Sequence, residues 1–282
     1  MKYLVFGLAG LLWALDALSW STSVHMEIGQ AVYDRLSKKE QRYYDRLTAQ
    51  MPVENLSFYQ LSPWVDSIRN EPIWELFEGR VPEALKPYQQ RHSSTWHYEN
   101  SFYFKPKQHY TCALTNNGML QDAMLAVDAS LQGELNKRQE AILVAFAVHL
   151  LEDVHQPLHT GTLVRSDCSL DLGGNRYCLQ QFAGKCALNL HQLWDQGFGA
   201  SKGLSRHKHS GQKSAEIFEV EKVLHDVLQE GESHLAHVYA IDEDRLPTET
   251  YTERSKSIAG KQLERAVERV SAYLKLHFAR VN

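Results

Sequence analysis

Eight consecutive apolar residues, Ala141 to Val148, run without a break into His149-Leu-Leu-Glu152-Asp153-Val-His155. A helix that is apolar all round cannot lie on a surface and has to be sheathed by other elements. The segment Gln139 to His155 is therefore expected as a buried central helix. Its neighbours in sequence fit that demand. Ile28, Val32 and Leu36 recur at four-residue spacing in a helix that begins at His25 and runs to Leu36, and Leu120 to Leu131 forms another. Ile217, Val220, Leu224, Val227 and Leu228 form an amphipathic stripe, as do Leu263, Val267, Val270, Leu274 and Phe278. Between residues 160 and 188 the turn formers Gly161, Asp171, Gly173, Gly174 and Asn175 break the helical pattern, and a short hairpin or irregular excursion is expected there. The chain has 282 residues, 43% of them hydrophobic, with no repeat and no Pro/Gly linker. It reads as one all-α domain.

The N-terminus is different in kind. Lys2 precedes an apolar stretch from Tyr3 to Leu15, and Ala17-Leu18-Ser19 is a small-x-small cleavage site. The stretch is short of the roughly 20 apolar residues that a membrane span needs, and Asp16 follows it. Residues 1–19 are expected to be a cleaved export signal and residues 20–282 the mature domain, secreted or periplasmic and without stable membrane association. All 4 Cys lie in the mature part, at 112, 168, 178 and 186, which suggests two disulfides. The pairing favoured from spacing is Cys168–Cys178, closing a short loop, with Cys112–Cys186 left over. The sequon Asn55-Leu-Ser57 is near chance expectation.

The formal charge of −4 argues against a nucleic-acid binder that works by a general basic surface. Positive charge for phosphate would have to be local, and 14 His against 4 Cys point to imidazole metal sites rather than thiolate ones. His149 and Asp153 are i,i+4 neighbours on one helix face, and polar groups at the end of an apolar helix are costly unless paired. A self-satisfied His–Asp pair in a core would explain one such motif. The spacing recurs, however, in Asn189-Leu-His191-Gln-Leu-Trp-Asp195, and Trp-Val-Asp66-Ser-Ile-Arg69 and Thr-Trp-His97-Tyr-Glu add a further carboxylate and imidazole. Zinc takes about four such nitrogen and oxygen ligands per ion, and two pairs plus single ligands from several segments fit it.

The motifs WSTSVH, WVDSIR, WHYEN, HLLEDVHQPLH, DLGGN and NLHQLWD resemble those of the exported, zinc-dependent, single-strand-specific nucleases of fungi, plants and bacteria. That resemblance runs from residue 20 to residue 195. It implies an all-helical fold shared with the zinc-dependent phospholipases C, endonuclease and 3′-nucleotidase activity, and three zinc ions. It places one zinc on Asp66, His97, His149 and Asp153. A close neighbour would take Asp153 as a bridge, His25, and the α-amino nitrogen and carbonyl oxygen of Trp20. A third would take His159, His191 and Asp195. His155 is read as packing or as a support behind the ligands, and His92, His109, His207, His209, His225, His234, His237 and His277 match no motif.

Three zinc ions against Asp66, Asp153 and Asp195 would leave a local charge of about +3 inside an acidic protein. The implied reaction is metal-assisted in-line hydrolysis of a phosphodiester, with Asp66, Asp153 and Arg69 at its centre and 5′-phosphates as products. Arg69 would meet the phosphate, with an ion pair to a ligand carboxylate as the alternative, and Lys105 is a weaker candidate for the same work. Tyr98 would stack on a base. Asn175 would reach a base edge or phosphate, or simply make a turn. Asn100 stands where some relatives carry an acidic base-binding residue. The substrates implied are single-stranded nucleic acid and 3′-nucleotides, with the enzyme acting as a monomer. A zinc-dependent phospholipase C is the first alternative; it is disfavoured by the Trp20-to-His25 spacing, by Asp195 where those enzymes generally carry Glu, and by the GGN loop. A non-catalytic zinc-binding protein on the same scaffold is the second.

Overall fold

The computed structural model describes residues 20–106, 111–204 and 218–281. The expected export signal, Ile217, His109, His207 and His209 lie outside them.

Ten α-helices make up most of the described chain. In order they are α1 (Thr22–Asp34), α2 (Lys38–Thr48), α3 (Leu61–Ser67), α4 (Ile73–Leu76), α5 (Leu120–Leu131), α6 (Lys137–Asp153), α7 (Pro157–Thr160), α8 (Leu190–Asp195), α9 (Val220–Val238) and α10 (Glu249–Val281). The apolar run becomes α6, whose residues from Glu140 to Asp153 are all buried. It starts where the sequence can cap it. The Asn136 side chain accepts from the Gln139 amide at 2.9 Å while the Gln139 side chain accepts from the Asn136 amide at 3.0 Å, so two otherwise orphaned donors are satisfied together. Helices α1, α2, α3, α5 and α10 sheathe it. Helix α1 begins at Thr22, three residues before the expected start, and ends short of Leu36.

Two apolar clusters result. The larger surrounds α6, and the smaller joins Leu158, Leu163, Tyr177, Leu190, Trp194, Leu235 and Tyr239. The chain crosses from one to the other between Val154 and Leu158, so the end of α6 sits at their junction. Two small sheets hold the second cluster. A parallel pair, β1 (Ser101–Tyr103) with β2 (Gly161–Leu163), aligns Ser101 with Gly161. The excursion expected at 160–188 contains an antiparallel hairpin, β3 (Cys178–Phe182) with β4 (Lys185–Asn189).

The favoured disulfide pairing is wrong. Cys112 bonds Cys168 and Cys178 bonds Cys186. The hairpin decides the second bond, because antiparallel pairing brings the strand bearing Cys186 back alongside Cys178, with 5.7 Å between their Cα atoms. The turn decides the first. Asp171 Oδ1 accepts from Leu163 N and Thr162 Oγ1, both at 2.9 Å, and so pins the loop to β2. Cys168, at φ +64°, is left on the near side of that anchor and meets the segment before α5.

Candidate metal centre

Three helices end on carboxylates that converge. Asp66 is the penultimate residue of α3, Asp153 the last of α6 and Asp195 the last of α8, and all three are buried. A helix C-terminus already carries partial negative charge, so a carboxylate there is unfavourable unless a cation faces it. Five buried histidines supply the rest of the cluster.

Local rules place several of these groups. The i,i+4 spacing puts His149 Nε2 2.9 Å from Asp153 Oδ2, and His191 Nε2 3.5 Å from Asp195 Oδ1. Helix α8 is a turn and a half long and depends on its cap: Asn189 Oδ1 accepts from the Gln192 amide at 2.7 Å, and Gln192 Oε1 accepts from the Asn189 amide at 3.1 Å. His97 and His159 are joined by the parallel ladder, which reaches one step beyond β1. Glu99 N donates to His159 O at 2.7 Å, and His159 Nδ1 donates to His97 O at 2.6 Å. That leaves His159 Nε2 buried with no hydrogen-bond partner among the described residues. An orphaned imidazole nitrogen beside His191 and Asp195 fits a metal ligand, since a metal would satisfy its lone pair.

Among the described residues the potential ligand atoms fall into three groups: His25, His149 and Asp153; Asp66, His97 and His149; and His159, His191 and Asp195, with no two atoms of a group more than 4.8 Å apart. Asp153 lies between the first two. Its Oδ1 is 3.4 Å from His25 Nε2, while its Oδ2 is 3.1 Å from His97 Nδ1. Trp20 is fully buried, its indole Nε1 donating to Glu152 O at 3.0 Å, and the next amide, Ser21 N, donates to Asp195 O at 2.9 Å. The start of the described chain is thereby tied to the ends of both α6 and α8.

Charge is distributed unevenly over the cluster. Burial works to lower the pKa of His25, yet hydrogen bonds and charges from Asp153 and Glu152 carry it up to about 10. Burial works to raise Asp153, but His149 and His159 hold it well below the carboxylate range. Asp195 goes the other way: burial, with Asp153 and Asp66 adding repulsion, raises it well above that range against the Gln156 hydrogen bond. Burial and the neighbouring His159 bring His191 down to about 3, which keeps it neutral and able to bind a cation.

A family model described as S1/P1 Nuclease matches residues 20–279. The chain belongs to the S1/P1 nuclease family. The match begins at Trp20 and takes in all three groups and both apolar clusters. S1/P1 membership makes the protein a nuclease, a hydrolase of phosphodiester bonds whose substrate is nucleic acid, and its buried His/Asp groups can hold metal. Comparison with individual curated proteins finds no match.

The substrate residues expected from the S1/P1-like motifs are scattered by comparison. Arg69 follows Asp66 by one turn, its amide donating to the Asp66 carbonyl at 3.4 Å. Tyr98 and Asn100 are half-buried on the segment leaving His97, and the Tyr98 carbonyl accepts from Met119 N at 3.0 Å and Leu120 N at 3.1 Å. Lys105 donates to the Tyr177 hydroxyl at 3.1 Å and lies over that ring. The Asn175 side-chain Nδ2 donates to Leu172 O at 2.8 Å and closes the DLGGN turn. His155 is turned away from the three groups, its Nδ1 donating to Leu151 O at 2.7 Å and its Nε2 accepting from Arg269 at 2.9 Å.

Three residues that motif spacing gave no role stand against the site. Gln156 caps α7 by accepting from Leu158 N at 2.5 Å and donates to Asp195 Oδ1 at 2.7 Å. The sequence Gln-Pro-Leu-His carries half of that signal, a polar N-cap ahead of Pro at the first helical position. Glu152 and Ser62 lie behind His25 and His149; nothing local in the sequence marks that meeting.

Proposed function

We propose that this S1/P1 nuclease is a three-zinc enzyme that hydrolyses single-stranded RNA and DNA to 5′-phosphate products and also acts on 3′-nucleotides. The observation that carries the reading is the convergence of Asp66, Asp153 and Asp195, each near a helix C-terminus, with five buried imidazoles. Asp66, His97, His149 and Asp153 would hold one zinc. Asp153, His25 and the main-chain amine and carbonyl of Trp20 would hold its neighbour, and His159, His191 and Asp195 the third. Bound zinc would supply positive charge to polarise the phosphate and would lower the pKa of water.

The chain's own residues do the rest. Asp153, which lies between the first two groups, would be shared by the close pair, and Asp66 would belong to the first site. The Arg69 guanidinium clamps a non-bridging phosphate oxygen and neutralises the charge that builds up there. Tyr98 stacks on a base, worth about 1–3 kcal/mol and tolerant of sequence. A base has to leave a duplex to be stacked in this way, which accounts for a preference for single strands. Asn100 contacts the base edge. Lys105 and Asn175 reach substrate only by exchanging their bonds to Tyr177 and Leu172.

Export completes the site. Cleavage after Ser19 frees the Trp20 amine, whereas in a precursor that nitrogen is a planar peptide amide and a poor donor. The two disulfides and the absence, among the described residues, of any helix long and apolar enough to cross a membrane are compatible with an exported protein.

The test is a metal count paired with product analysis. The mature chain is expected to carry three zinc ions, to release 5′-phosphates from single-stranded RNA and DNA, to lose activity on chelation and to regain it with zinc. Undiminished cutting after verified metal removal overturns the reading, and turnover of phosphatidylcholine instead would make the protein a phospholipase C. A variant retaining one residue before Trp20 should lack one ion of the close pair and cut slowly.

A further inference from the structure

Glu152 precedes Asp153 and is fully buried, at 0% exposure. Its carboxylate faces the two imidazoles from behind. Glu152 Oε2 lies 2.5 Å from His25 Nδ1 and 2.6 Å from Ser62 Oγ. Ser62 Oγ in turn lies 2.8 Å from His25 Nδ1 and 3.3 Å from His149 Nδ1. A hydroxyl has one proton. A carboxylate can only accept, so Ser62 gives that proton to Glu152 and its oxygen lone pairs face the imidazoles. Both Nδ1 atoms must then carry hydrogen.

The consequence appears on the other side of the rings. With Nδ1 held as a donor, a cation that displaces the other ring proton finds the lone pair of each imidazole on Nε2. His25 Nε2 is 3.4 Å from Asp153 Oδ1 and 3.9 Å from Asp66 Oδ2. His149 Nε2 is 2.9 Å from Asp153 Oδ2 and 3.8 Å from Asp66 Oδ1. The rings stack with 4.7 Å between centroids, so neither can turn without displacing the other. Glu152 also holds Trp20, its main-chain carbonyl accepting from the indole.

We infer that Glu152, acting directly on His25 and through Ser62 on His149, is the positioning residue of the close metal pair. It fixes both imidazoles as Nδ1–H tautomers with Nε2 presented to the cations, and it anchors the aromatic residue whose main chain completes the second site. This rests on the three-zinc reading. An outer carboxylate that orients a ligand histidine raises metal affinity on the order of 10- to 100-fold, and here one carboxylate serves two ligands.

The test uses the mature chain and its variants Glu152→Leu, Glu152→Gln and Ser62→Ala. Zinc stoichiometry and affinity are measured by competition with a chromogenic chelator, and histidine tautomers by ¹⁵N-edited NMR of the zinc-loaded protein. Glu152→Leu should weaken zinc at the close pair by on the order of 10- to 100-fold while the site of His159, His191 and Asp195 keeps its affinity. Glu152→Gln retains an oxygen acceptor and should recover much of that loss. Ser62→Ala should disturb the His149 tautomer more than that of His25. If Glu152→Leu and Ser62→Ala bind zinc like the parent with both Nδ1–H signals unchanged, the positioning role is refuted, although the three-zinc centre stands. A uniform weakening of all three sites with lowered thermal stability makes Glu152 a general structural residue and also refutes it. A parent chain that binds no zinc at all overturns the metal centre itself.

Discussion

Cys112 and Cys168 close a loop with a sequence separation of 56, whereas Cys178 and Cys186 are separated by 8. In the chain-entropy account a cross-link stabilises by removing loop-closure freedom from the unfolded chain, and the effect grows with the logarithm of loop length. At 25 °C the long loop is worth about 4 kcal/mol and the short one about 2.5 kcal/mol. Replacing both Cys112 and Cys168 by Ala should therefore cost roughly 1.5–2 kcal/mol more than replacing both Cys178 and Cys186. In a chain this size the larger loss corresponds to a drop on the order of 10 °C in melting temperature. The assay is guanidinium and thermal unfolding of the purified protein. Single replacements sharpen it, because Cys112→Ala should cost as much as Cys168→Ala, and Cys178→Ala as much as Cys186→Ala. The pairing Cys168–Cys178 would instead make those two singles equivalent and mild. That grouping, or a hairpin pair that costs more than the long-loop pair, would refute the reasoning.

Two further outcomes follow from packing and burial. A Cβ added at Gly118 would lie 2.5 Å from Tyr98 O and 2.7 Å from Glu99 Cα, both main-chain atoms that cannot swing aside. Gly118→Ala should cost about 1–3 kcal/mol and raise KM for single strands by displacing Tyr98, whereas Gly133→Ala, whose Cβ meets only Ser130 O at 3.4 Å, should be near neutral in the same thermal and kinetic assays. His277 is buried against Tyr44 and Glu140, and burial, opposed by Glu140 and aided by the charge of Lys137, lowers its pKa. The unfolded chain therefore takes up this proton first, so the stability due to neutral His277 is complete above about pH 6.5 and declines as pH falls below it. His277→Leu should flatten the acid side of the stability curve by at most about 1.4 kcal/mol per pH unit; parallel curves for parent and variant in guanidinium titrations between pH 7 and 5 would contradict this.

What the sequence determined by itself is everything that repeats at short range. The apolar run from Ala141 to Val148 demanded a sheathed helix, and α6 is one. The i,i+4 spacing of His149 with Asp153, and of His191 with Asp195, put each pair on one helical face without any knowledge of the rest of the chain. Asn-x-x-Gln marks the start of both α6 and α8 for the same reason: capping is a bond between residues three apart.

Long-range closure was decided only by the tertiary structure. Spacing favours a short disulfide loop through Cys168 and Cys178, but hairpin pairing and the Asp171 anchor choose otherwise. Lys105 is turned to Tyr177, a partner 72 positions away that no local pattern announces. The parallel ladder that joins the segment after His97 to that of His159 pairs strands from opposite sides of α5 and α6, so neither strand's sequence names its partner. Glu152 is the sharpest case. Its position on α6 was legible, but the atoms it serves come from α1 and α3 as well as its own helix, and only packing around a common core brings them within hydrogen-bonding distance.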